Sequence, residues 1–139
     1  MTNFDARTGI EWIDHDACLR LLASDEVGRL AVVTGSAPSI FVVNYVLDDE
    51  TIVFRTAEGT KLRADGHTAC FEIDEIDRAH RTGWSVIAAG RLEEVTRYDA
   101  EALKRVRELA VDPWAEGDKT HWMRLVPDRI TGRRVRPRS

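Results

Sequence analysis

Long apolar runs are missing from this chain. None of its hydrophobic stretches reaches the length needed to span a bilayer, and the first residues lack the basic-then-apolar order of a signal peptide. A cytoplasmic protein with no membrane partner is expected. Cysteine is scarce too: Cys18 and Cys70 stand far apart and do not form a metal-type spacing with each other. Both read as small buried hydrophobes. His15, His67, His80 and His121 form no HxH or HxxxH pair, so no metal site is expected. Nor is there an excess of positive charge. Twenty Lys and Arg against 24 Asp and Glu leave a net charge of −4, which argues against general nucleic-acid binding. Basic residues gather only near the end, where Arg124, Arg129, Arg133, Arg134, Arg136 and Arg138 face Asp128 alone.

What is present fits one domain, residues 1–139, with residues 1–13 as an N-terminal arm. The arm has no clear periodicity, although Phe4, Ile10, Trp12 and Ile13 call for burial. Asp14 can cap a helix running to about Ser24, with Cys18, Leu19, Leu22 and Ala23 on one face. Strands are expected at Gly28–Thr34, Ser39–Leu47 and Thr51–Thr56, joined by turn clusters as an antiparallel meander. Thr68–Ile76 alternates Ala69, Phe71 and Ile73 against polar neighbours, which marks a strand with one face on a core. Gly83–Val95 is long enough for one strand with a bulge at Gly90. Asp99 caps a helix to about Ala110, whose buried stripe is Ala102, Leu103, Val106, Leu109 and Ala110. A loop around Pro113 and Trp114 follows, then two short strands, Trp122–Val126 and Arg129–Val135, on either side of Pro127-Asp128. The pattern predicts a mainly β protein with peripheral helices and a small antiparallel barrel of about six strands. So small a barrel fills its interior with side chains, so a cofactor must bind outside it or between subunits.

The most informative stretch is TIVFRTAEGTKL, Thr51 to Leu62. Ile52, Val53 and Phe54 are strand formers, and Glu58-Gly59 breaks the strand at a turn that Gly59 can take with positive φ. Arg55, Thr56, Thr60 and Lys61 therefore flank one bend. Two cations, two hydroxyls and free backbone N–H groups suit a phosphate monoester, with Arg as a planar fork and Lys as a point charge. Solvated charges beside a turn would look the same on spacing alone.

GRLAVV, VNYVLDDETIVFRTAEGTKL, GWSVIAAGRLEEV and the closing RITGRR together resemble the FMN-binding split-barrel superfamily, the pyridoxamine 5′-phosphate oxidase-like flavoproteins. The resemblance runs from about Asp14 to Val135. It implies a six-stranded antiparallel split β-barrel that forms a homodimer, with FMN in a groove between the two barrels. Arg55, Thr56, Thr60 and Lys61 match positions that hold the phosphate and ribityl chain. Val43, Asn44 and Tyr45 match the strand lining the flavin ring. Trp84 and Ser85 match a region brought to the cofactor from the neighbouring subunit. Trp114 and Trp122 have no counterpart, and stacking on the ring or plain packing both stay open for them. The implied function is an oxidoreductase acting on a small molecule, with FMN carrying the electron chemistry and no protein residue standing out as catalytic. The alternatives are reduction with the deazaflavin F420, whose acidic tail the C-terminal arginines could engage, and a flavin- or haem-binding protein without turnover. The chain has no His after His121, so the Arg–His substrate segment of pyridoxamine phosphate oxidases is missing.

Overall fold

Apolar alternation resolves into nine strands and three short helices in the computed structural model, which describes residues 4–137. β1 (Phe4–Asp5) and β2 (Ile10–Ile13) precede α1 (His15–Ser24). Then come β3 (Val27–Val33), β4 (Pro38–Asn44), β5 (Val46–Asp48), β6 (Thr51–Thr56) and α2 (Thr60–Arg63). β7 (Thr68–Asp77), β8 (Thr82–Val95), α3 (Ala100–Arg107) and β9 (His121–Val135) complete the chain. All the strand pairings are antiparallel, and six of them run in one chain: β4 to β3, β3 to β7, β7 to β8, β8 to β9, β9 to β6 and β6 to β5. Only Tyr45 separates β4 from β5, so one stretch of chain leaves β3 and joins β6. That crossing closes a six-stranded split barrel, as expected.

The sequence pattern predicts Ser39–Leu47 as one unbroken strand, and the structure divides it at Tyr45. The Tyr45 N–H donates to Glu26 O at 3.0 Å and its hydroxyl to Leu22 O at 2.5 Å. Its ring meets Phe71 edge-on at 4.6 Å. Tyr45 thus fastens the end of α1 to the barrel, and the switch of partner strand happens where its backbone is taken by Glu26. Asp14 caps α1 as expected, accepting from Ala17 N at 2.8 Å.

Three further expectations are corrected. The strands Trp122–Val126 and Arg129–Val135 are one strand, β9. Pro127 falls where its register against β8 slips, opposite Gly90, so its missing N–H interrupts no regular ladder. The bulge expected at Gly90 is there, and a Cβ at Gly90 would lie 2.0 Å from Val126 O. The N-terminal arm is also ordered into strands. β2 pairs with the Gly132–Val135 end of β9, on the edge that β6 leaves open further along. Ile13 is buried there, while Phe4 and Trp12 stay largely exposed. Cys70, expected to be buried, is exposed, because Ala69, Phe71 and Ile73 take the inward side of β7. Cys18 is fully buried.

Two cores result. The larger fills the barrel with Leu30, Phe54, Phe71, Ile73, Leu92, Met123 and Leu125, sealed by α1. The smaller lies outside it, where α3 and the chain after it cover the outer face of β6. Val53, Val95, Val106 and Val111 are its buried members, with Leu103, Leu109 and Trp122 packed against them. Asp99 caps α3 through Ala102 N at 3.1 Å, but the helix ends at Arg107 and Ala110 is exposed, short of the expected stripe. Arg105 binds Asp48 with both arms, at 2.8 and 2.6 Å, tying α3 to β5 and holding the Asp48 carboxyl below its usual range. No helix among the described residues is long and apolar enough to cross a membrane.

Candidate functional site

The turn after β6 forms as its residues dictate. Gly59 takes φ +148° and starts α2, so Lys61 is presented beside β4 with its ammonium over the Phe41 ring at 4.8 Å. Lys61 is half-buried, and burial lowers its pKa, with a further contribution from the nearby Lys119. The Thr60 hydroxyl accepts from Arg63 Nη2 at 3.0 Å. Thr56 faces the barrel interior and donates to Ala57 O at 3.0 Å.

Arg55 points to the outer face of β6, where its guanidinium lies over Trp122 at 5.2 Å. Nε donates to Lys119 O at 3.1 Å and Nη1 to Val111 O at 3.4 Å. Two of its donors therefore hold the connection between α3 and β9. Asn44 holds the same connection from the other side, its Oδ1 accepting from Trp114 N at 2.8 Å. Val43 and Tyr45 turn their side chains into the barrel, so only their backbone and Asn44 border the outer groove. A cavity of about 300 Å³ opens there, lined by Asn44, Tyr45, Trp114, Asp25 and Glu26 among others.

One neighbour of this group is not legible in the sequence: Lys119, far from Lys61 along the chain, which the Arg55 contact brings alongside. Arg55, Lys61 and Lys119 are each half-buried. Among the described residues, none of these three, nor the exposed Arg63, is ion-paired with a carboxylate. Half-desolvated cations without a counter-ion are costly, and an anionic ligand relieves that cost.

Trp84 and Ser85 do not join them. The other end of β8, at Val95, pairs with Trp122, which pairs with Arg55. At about 3.3 Å per residue, the two ends are roughly 35 Å apart along the strand. Trp84 and Ser85 line a separate cavity of about 420 Å³ with Glu72, Asp74 and Arg133. Glu72 is pushed up to about 7 there, by burial first and then by Asp74, against the pull of Arg29. Arg29 Nη1 lies 3.5 Å from Glu72 and 3.6 Å from Asp74. Cross-strand register continues this outer face through Val42, Arg29, Glu72 and Ile87. Ile40 and Val42 are about 70% exposed on it, an unusual state for two neighbouring β-branched apolar residues.

The profile of the pyridoxamine 5′-phosphate oxidase family matches residues 14–134. An uncharacterized protein of Mycobacterium tuberculosis is 33% identical over 137 residues, which are 94% of this chain and 88% of that protein. Among solved structures, the FAD binding protein from Mycobacterium smegmatis is 38% identical with a TM-score of 0.76, covering 90% of this chain and 99% of its own. A provisionally named pyridoxamine 5′-phosphate oxidase from Corynebacterium glutamicum is 30% identical with a TM-score of 0.74, covering 94% and 97%.

Proposed function

The chain belongs to the pyridoxamine 5′-phosphate oxidase family, and from that premise we propose that it is a flavoprotein oxidoreductase acting on a small molecule. The observation that carries this reading is the half-buried cationic group at the β6–α2 turn, which has no carboxylate partner among the described residues. It suits the phosphate of a flavin nucleotide, as FMN or as the FAD that the M. smegmatis relative is named for. Bound flavin would supply hydride and electron transfer, chemistry that protein side chains lack. Lys61 and the turn hydroxyl of Thr60 hold phosphate in this reading, while Arg55 keeps Nη2 free for it. Asn44 and the backbone from Val43 to Tyr45 border the ring.

Trp84 and Ser85 reach the same site only from a second copy. The exposed Ile40 and Val42 face supports a two-fold homodimer with the flavin between subunits. The free thiols of Cys18 and Cys70 agree with a cytoplasmic setting. The F420 alternative loses some support, because Arg134 and Arg136, offered for its acidic tail, already pair with Glu11.

Titration with FMN, FAD and riboflavin tests the reading. FMN is expected to bind at least about tenfold tighter than riboflavin, since a charge-assisted phosphate contact contributes about 1.5–3 kcal/mol. Equal curves would remove the phosphate assignment. Sedimentation of the flavin-loaded protein should give a dimer at micromolar concentration, and a loaded monomer would contradict the shared site. Anaerobic bleaching of the flavin by NADPH or NADH separates an oxidoreductase from a binding protein without turnover.

A further inference from the structure

We infer that Lys119 is a phosphate ligand of this site and that Arg55 and Asn44 are the positioning residues that hold its loop over β6. The inference deepens the flavin reading and rests on it. Arg55 spends its Nε and Nη1 on Lys119 O and Val111 O, and Asn44 Oδ1 takes Trp114 N. These three bonds fasten the connection between α3 and β9 near its start, its middle and its end. Between the last two pins, Gly117 turns the chain at φ +120°. Among the described residues, Lys119 Nζ has one long hydrogen bond, 3.4 Å to Glu116 O. Neither Glu116 nor Asp118, both exposed on the same loop, is ion-paired with it.

Two half-buried ammonium groups are thus brought near one another from different elements, Lys61 from the β6–α2 turn and Lys119 from the loop. Burial lowers the pKa of Lys61, and the charge of the nearby Lys119 lowers it further. A phosphate between them turns that repulsion into two charge-assisted contacts. The chemistry is common to the monoester of FMN and the diphosphate of FAD.

The test uses the full-length chain with FMN, FAD and riboflavin as probes. Lys119→Ala should weaken both nucleotides about tenfold and leave riboflavin unchanged, and Lys119→Arg should restore most of the loss. Arg55→Ala should weaken the nucleotides and raise hydrogen exchange across residues 111–119. Adding Lys119→Ala to it should then cost less than in the wild-type background, the coupling expected when one residue acts through the other. A Lys119→Ala protein that keeps nucleotide affinity while Lys61→Ala loses it would overturn the inference and spare the flavin reading. Equal losses for riboflavin and FMN would also overturn it, since the loop would then support the fold and not the phosphate. A wild-type protein that binds no flavin would bring down the reading itself.

Discussion

Two regions of this molecule are rich in cations, and they differ in what surrounds them. At the Gly132–Val135 end of β9, two basic residues are ion-paired and a third is exposed to solvent. Arg134 and Arg136 share Glu11 of β2, Arg133 lies over Trp12 at 5.9 Å, and Arg136 over Phe4 at 5.4 Å. At the β6–α2 turn, Arg55, Lys61 and Lys119 have carbonyls and aromatic rings as neighbours, and among the described residues none of the three is ion-paired with a carboxylate. The lesson is that density of positive charge does not locate an anion site. The unpaired and half-buried charges do, because they are the ones whose free energy a ligand can lower.

The largest effect should come from removing one charge at each end. Lys61→Ala should weaken FMN binding about tenfold or more, from the loss of a charge-assisted contact of about 1.5–3 kcal/mol. Arg136→Ala should leave FMN affinity where it was, since Glu11 keeps Arg134. If both variants bind FMN alike, the contrast between the two regions fails. Fluorescence titration reads both.

A stability measurement sharpens the comparison from the other side. Glu11→Gln deprives two arginines of their shared partner and should destabilise the fold by about 1 kcal/mol, the arginines being too exposed for more. Lys61→Ala should instead leave the ligand-free fold unchanged or slightly more stable. Urea unfolding of the two variants checks the pair, and a Lys61→Ala protein less stable than Glu11→Gln would contradict it.

Added inorganic phosphate should raise the melting temperature of the wild type more than chloride does at equal ionic strength, through binding at the turn. That difference should vanish in Lys61→Ala and persist in Arg136→Ala. A thermal shift series with both anions decides it.

The smallest effect is the mirror case, where Glu72 and Asp74 share one arginine. A carboxyl raised to about 7 in the folded chain binds more protons there than in the unfolded chain between about 4.5 and 7. Its stabilising contribution is therefore full below about 4.5 and is lost as pH rises through 7. Glu72→Gln should flatten that slope in melting temperature, and an unchanged slope would assign it to other groups.

Much of the fold was legible because it depends on local rules. The caps at Asp14 and Asp99, the inward residues of β7 and the bulge at Gly90 each follow from side chains within a few positions. Three of the misreadings share one cause. The break at Tyr45, the continuity of β9 through Pro127 and the pairing of β2 all depend on a strand far away in sequence. Periodicity cannot report which strand that is. In the site, residue types around the Gly59 turn pointed to phosphate, yet the spacing could not show that Arg55 faces the loop carrying Lys119.

A mainly β, six-stranded barrel and a turn furnished with phosphate-binding residue types are written into the order of residues, because strand alternation, glycine turns and side-chain chemistry are properties of neighbours along the chain. Which cations remain unpaired, the approach of Lys119 to Lys61, and the place of Trp84 and Ser85 at the far end of β8 come from the folded arrangement. Those facts are distances between segments, and they exist only once the barrel has closed.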